Sequence, residues 1–184
     1  MCCCALIRGT RGESHSDIIH FRCWWWRGRR CGSQCAASTP GQEAVVFVHG
    51  YNNGFAKAAY RHAQVAWDYE LKGPQIHFSW SSAANPFEYT YDRDSVLIAR
   101  DALATLLRRL LREDGLRVSL VGHSMGGLLI METLRQIALS GDRALLDRLS
   151  ATTLISPDID MDLFRAQAHA LGLKIGICKF FKFF

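Results

Sequence analysis

Gly122-His123-Ser124-Met125-Gly126 is the stretch of this chain best suited to chemistry. It follows the strand-like run Val118-Ser119-Leu120-Val121 and opens the helix-like run from Leu128 to Leu134. A G-x-S-x-G box between a strand and a helix reads as a nucleophile elbow, a strained turn that lifts a serine hydroxyl above a sheet edge. Ser124 is therefore the candidate nucleophile for an acyl transfer. Gly122 and Gly126 are expected to pack against each other across the turn, where a larger side chain would force the backbone apart. His123 is expected to turn away from the nucleophile and pack locally at the pocket.

A second motif lies upstream. Val45-Val46-Phe47-Val48 is a β-branched and aromatic run that ends in His49-Gly50-Tyr51-Asn52-Asn53-Gly54, and a helix-like segment follows. An oxyanion that develops during acyl transfer needs fixed backbone N–H donors. The residue after the nucleophile, Met125, supplies one; Gly50 lets the chain turn so that the Tyr51 amide can supply the other. His49, Gly50, Asn52, Trp80 and Tyr91 join His123 as possible pocket residues. Read alone, His49-Gly50 would be an ordinary strand-ending turn; the two motifs support each other.

These residues need a scaffold, and from Glu43 onward strand and helix signals alternate as in a parallel sheet with crossover helices. The strand candidates are residues 44–48, 75–80, 117–121 and 152–156, apolar enough to be covered on both faces. Helices are expected over 56–71, 95–112, 124–140 and 162–171. The second has a stripe of Leu103, Leu106, Leu107, Leu110 and Leu111, with Asp92 or Asp94 as its cap and Gly115 as its stop. Asp158 is as good a helix cap as an active-site acid.

The chain resembles an α/β-hydrolase, and more narrowly a bacterial family of uncharacterised α/β-hydrolases. The resemblance rests on His49-Gly50-Tyr51-Asn52-Asn53, Phe78-Ser79-Trp80-Ser81, residues Tyr89 to Ser95, Gly122-His123-Ser124-Met125-Gly126 and Ser156-Pro157-Asp158-Ile159-Asp160. It implies an open, mostly parallel, doubly wound sheet. The four strands would be the third to sixth of that fold, in spatial order fourth, third, fifth, sixth. It also implies a triad in the order Ser, acid, His. The only histidine after Ser124 is His169, and Asp158 and Asp160 are the acids at hand. A surface or capping role suits His169 better than that of a base. The resemblance places the acid after a seventh strand and the histidine near the domain's end, regions that the segment after Leu173 does not match. The chain thus reads as truncated at both ends, a partial core over 43–173.

Composition bounds the rest. The chain has 184 residues, 49% hydrophobic and 21% charged, enough for one globular domain. Its net charge of +5 is concentrated in six arginines among the first thirty residues, so the core offers no basic face for nucleic acid. Residues 1–42 hold six of the seven cysteines and show no strand or helix period; they read as an irregular or disordered leader. His20, Cys23, Cys31 and Cys35 match no familiar zinc spacing, and no cofactor or metal is expected. Residues 174–184 form an apolar, basic tail. No signal peptide or membrane-spanning stretch is visible, which makes the cytoplasm the default location. The expected function is hydrolysis of a small-molecule carboxylic ester, thioester or amide. The alternatives are a catalytically incomplete chain that at most binds acyl ligands, and a membrane-surface protein anchored by its Trp-Arg leader and Phe-Lys tail.

Overall fold

A computed structural model of the protein describes residues 5–9, 43–71, 73–113, 116–172 and 179–181. The four apolar runs form the centre of one parallel sheet: β2 Glu43–Val48, β3 Gln75–Trp80, β4 Arg117–His123 and β5 Leu149–Ile155. Two short strands extend it, β1 Ala5–Gly9 beside β3 and β6 Lys179–Phe181 beside β5. The full order is β1-β3-β2-β4-β5-β6, all parallel. Its central four strands stand in the order expected of an α/β-hydrolase core, and the sheet stays open. The outer edge of β5 pairs with β6 over Thr153–Ile155. Phe180 and Phe181 have the strand preference for such a pairing. The cysteine-rich part of the leader, His20 with the candidate zinc ligands included, lies outside the described residues, as does most of the tail.

Burial on both faces explains why β2 and β3 read as continuous apolar runs rather than alternating ones. On one face Val45, Phe47, Val121 and Ile155 pack beneath Val65 and Leu71, the former on helix α1 (Phe55–Asp68). On the other face lie α2 (Tyr89–Arg108), α3 (Met125–Leu139) and α5 (Met161–Leu171); the short α4 (Arg143–Leu146) precedes β5. Twelve of the fifteen residues of α3 are buried, so this helix is a central spine rather than an amphipathic cover. Its buried Glu132 is matched by Gln167 Nε2 at 2.6 Å and by Arg100 at 3.6 Å.

The leucine stripe of α2 is buried as expected, and continues through a wider π-type turn over Arg109–Glu113. The helix, however, starts six residues before the expected Ser95. Neither Asp92 nor Asp94 caps it; Glu88 stands at the cap and Asp92 lies inside the first turn, fully buried. Asp92 faces inward because loop amides need its carboxylate, as described below.

β2 leads into α1 on one face, and β4 leads into α3 on the other. At such a switch point between adjacent strands the two loops splay apart and leave a crevice at the carboxyl edge of the sheet. Val48 pairs with Gly122, so His49-Gly50 and His123-Ser124 leave the sheet side by side.

Candidate active site

Ser124 has φ 51° and ψ −123°, a conformation that costs a non-glycine residue about 1–3 kcal/mol and persists only where its surroundings hold it. Three hydrogen bonds hold it here. Its amide donates to Ile155 O at 3.0 Å, and its carbonyl accepts from Gly127 N at 2.9 Å and Asp158 N at 3.2 Å. Replacing Ser124 with Gly removes the strain with little loss of packing. Ser124→Gly is therefore expected to raise stability by about 1 kcal/mol, or about 2–4 °C in melting temperature. A melting temperature unchanged or lowered in this variant would mean that the turn is relaxed.

The glycines work differently from the expected mutual contact. A Cβ on Gly122 would lie 2.9 Å from Gly127 Cα and 2.8 Å from Ile130 Cδ1. A Cβ on Gly126 would lie 2.4 Å from Val48 O and 2.5 Å from His49 O. Gly122 thus lets the start of α3 fold back over β4, while Gly126 lets that helix press on the end of β2. Gly50 completes the junction: its Cβ would stand 2.8 Å from Ser124 Cβ and 2.8 Å from His123 O. The two sequence motifs therefore pack so closely that no side chain fits between them at Gly50.

Met125 is the first residue of α3, where an amide has no acceptor within its own helix. Its N–H and that of Tyr51 donate to no acceptor among the described residues, whereas the neighbouring Ser124 and Gly127 amides are engaged.

The loop after β2 is pinned from several sides. Asn53 Nδ2 donates to Gly50 O at 3.2 Å and to Tyr51 O at 2.9 Å. Asp92 accepts from Asn52 N at 3.3 Å, Ser82 Oγ at 2.6 Å and Ala83 N at 2.7 Å, so one buried carboxylate ties this loop to the one after β3. Tyr51 packs edge-on against Tyr89, and its hydroxyl donates to Pro86 O. Half-buried Tyr91 lies in the first turn of α2.

His49 and Trp80, expected at the pocket, are buried beneath this loop rather than open to it. The Trp80 amide donates to His49 Nε2 at 3.1 Å, its indole N–H donates to His49 O at 2.8 Å, and the two rings stack 5.1 Å apart. A backbone amide can only donate, so Nε2 is the bare nitrogen and Nδ1 carries the hydrogen, which it gives to Gly50 O at 3.0 Å. Beneath His49 the stack continues through His77, His62 and Phe47, all buried. Burial lowers the pKa of His49 and His62 to about 4 and that of His77 to about 3. In His123, burial and then the Arg61 charge act in the same direction.

Of the expected triad, the structure brings together Ser124 and Asp158 but not His169. Asp158 is tied to the elbow through its amide, and its carboxylate accepts from the Tyr89 hydroxyl at 2.8 Å. Desolvation and then that carboxylate push the Tyr89 pKa up. The helix cap is Asp160, whose Oδ1 accepts from Asp162 N and Leu163 N; Asp158 does not cap. His169 lies in the last turn of α5, exposed. The same end of α5 is bonded by Arg143 of α4, which leads into the start of β5. His169 thus points toward the amino edge of the sheet, about two helical turns along α5 from the elbow's edge. No described histidine is hydrogen-bonded to the Ser124 hydroxyl. Among the described residues, no group of three His, Cys, Asp or Glu side chains is placed to hold a metal ion.

Sequence reasoning missed three contributors: Asn53, Asp92 as a buried hub and Tyr89 as partner of Asp158. Their signal was the compact run Tyr89-Thr90-Tyr91-Asp92, which reads as a polar helix start until the loops that dock on it are known.

The family described as "Alpha/beta hydrolase of unknown function (DUF900)" matches residues 33–182. No curated protein matches the chain in sequence. Among solved structures, an acetylxylan esterase is similar with a TM-score of 0.44 and 11% identity, over 65% of this chain and 64% of its own. A cutinase-like protein from Cryptococcus sp. gives 0.46 and 18%, over 64% of this chain and 55% of its own. The protein TT1662 from Thermus thermophilus gives 0.45 and 12%, over 78% and 80%. The chain thus spans 64% and 55% of the lengths of the first two. With most of its length matched by the family model and its sheet in the expected order, the chain belongs to this family of alpha/beta-hydrolases.

Proposed function

We propose that this chain is a serine hydrolase acting on a small-molecule carboxylic ester, thioester or amide. Ser124 is the nucleophile, and the amides of Met125 and Tyr51 stabilise the oxyanion. One observation carries the reading: Gly50 and Ser124 are in contact, which sets a strained serine beside two amides that lack an acceptor among the described residues. Attack of Ser124 Oγ on the acyl carbon would form a tetrahedral intermediate whose oxygen takes both N–H groups. Collapse expels the alcohol, thiol or amine, which takes up the proton that Ser124 Oγ gave up on attack, and water then releases the acid and restores the hydroxyl. Asp158, beside the elbow, is the acid this reading retains; His169 is given no role, because α5 carries it to the other end of the sheet.

Labelling by a fluorophosphonate probe tests the reading. Wild-type protein is expected to label, Ser124→Ala to lose all labelling, and His169→Ala to label at the wild-type rate. Labelling that survives Ser124→Ala removes the proposal. A second reading, an acyl-binding chain without turnover, is favoured by one observation. No described histidine reaches the Ser124 hydroxyl, and Asp158 is occupied by Tyr89. A folded, unlabelled wild-type protein would select it.

A further inference from the structure

We propose that Asn53 and His49 are positioning residues that prevent the Gly50–Tyr51 peptide from flipping and so hold the Tyr51 N–H toward the elbow. The inference rests on the serine-hydrolase reading above and assigns two residues to its oxyanion site.

In a planar trans peptide the C=O and the following N–H point in opposite directions, and no peptide among the described residues is cis. The Gly50 carbonyl accepts from Asn53 Nδ2 at 3.2 Å and from His49 Nδ1 at 3.0 Å. The Tyr51 N–H must therefore leave on the side away from those two donors. It finds no acceptor among the described residues, and the Gly50 backbone it adjoins abuts Ser124.

Such a holding device answers a specific weakness. Gly50 must lack a side chain because Ser124 and His123 fill the place a Cβ would take. A glycine peptide has little steric barrier against rotating over. A flipped peptide would present a carbonyl oxygen to the site, repelling the charge that has to be stabilised there. Two donors on Gly50 O oppose the flip. Both are themselves fixed: the His49 tautomer is set by the Trp80 amide, and the Asn53 amide donates to Ser82 Oγ at 3.3 Å.

The test uses Asn53→Ala and Asn53→Asp in the full chain. Removal of one oxyanion donor costs about 100- to 1,000-fold in kcat. With His49 still present, each variant is expected to hydrolyse 4-nitrophenyl acetate and take up the fluorophosphonate at least tenfold more slowly. KM and melting temperature should stay near wild type, since Asn53 lies in a half-buried loop. Asp, which repels the carbonyl, should be slower than Ala. Gly50-Tyr51 is the sole Gly–Tyr step in the sequence, so a chain carrying ¹³C-carbonyl glycine and ¹⁵N-tyrosine gives one cross-peak for this peptide. In Asn53→Ala its carbonyl resonance is expected to move upfield, as it does when a hydrogen bond is lost. Wild-type rates in both variants, or a cross-peak that does not move, overturn the inference. If the wild-type protein does not label, the hydrolase reading fails, and the cross-peak alone decides whether Asn53 holds the peptide.

Discussion

Lowering the pH from 7 to 5 is expected to remove about 6 kcal/mol of stability. His49, His62 and His77 share the buried ring stack between β2, β3 and α1, with fractional exposures of 2% each. His77 Nδ1 and Nε2 have no hydrogen-bond partner among the described residues, so a proton placed there would be stranded between two other imidazoles. Desolvation is the largest influence on all three; the hydrogen bond to Gly50 O and the Asp92 charge favour the His49 cation, but too weakly to offset it. Their folded pKa values of about 4, about 4 and about 3 thus lie below the ordinary 6.5. Above pH 6.5 both states are neutral and nothing is lost. As the pH falls below 6.5, the unfolded chain takes up protons that the folded chain refuses, and stability declines until the folded pKa values are reached. At pH 5 each histidine contributes about 2 kcal/mol to that loss. Three together rival the entire stability of an ordinary domain, about 5–15 kcal/mol. Urea denaturation at pH 7 and pH 5 measures the difference. His77→Phe should reduce the pH slope by about one proton, or about 1.4 kcal/mol per pH unit. Equal midpoints at the two pH values would mean that the stack admits water or protons.

That acid-sensitive layer shows where the sequence was readable and where it was not. The placement of apolar runs was enough for the four central strands, because β2 and β3 are buried on both faces, and their order came from the family resemblance. The same pattern carried no sign of the ring stack that His62 and His77 form. The parallel register of β2 and β3 sets His77 beside Phe47, and α1 lays His62 against both rings. The two motifs of the site were legible because each encodes its own backbone turn. What connects them was not. Asp92 lies 40 residues from Asn52, and Asp158 lies 69 from Tyr89, and contacts at such separations leave no local period to read. Asp158 and Asp160 illustrate the limit: both precede a helix, and only side-chain direction makes Asp160 the cap and leaves Asp158 to Tyr89. His169 was the only histidine in the right order. The length of α5, which sequence does show, is what removes it from the elbow.

The same backbone junction predicts that Gly126→Ala will damage fold and site together. A methyl group there would sit 2.4 Å from Val48 O, 2.5 Å from His49 O and 2.9 Å from Val48 C. All three atoms are backbone, so no side chain can rotate away. On one side Val48 is paired with both Phe78 and Gly122 in the centre of the sheet. On the other, α3 is buried along most of its length and cannot withdraw without opening the core. Ala gains about 1 kcal/mol of helix preference over Gly, but a rigid overlap of this kind costs about 3 kcal/mol or more. The net loss of about 2 kcal/mol corresponds to a fall of about 4–8 °C in melting temperature. Reactivity should suffer more than stability. His49 O also accepts the Trp80 indole N–H, so moving it disturbs the clamp that orients Gly50 and Tyr51, while α3 carries Ser124 and Met125 in the opposite direction. A displacement near 1 Å between nucleophile and oxyanion donors costs about 100-fold, and fluorophosphonate labelling should slow by at least that factor. Gly141→Ala is the matched control. Gly141 has φ +82° but nothing within 4 Å of its added Cβ, so it should lose about 1 kcal/mol through backbone strain and label at the wild-type rate. If Gly126→Ala labels as fast as Gly141→Ala, the contact between α3 and the end of β2 does not set the geometry of the site.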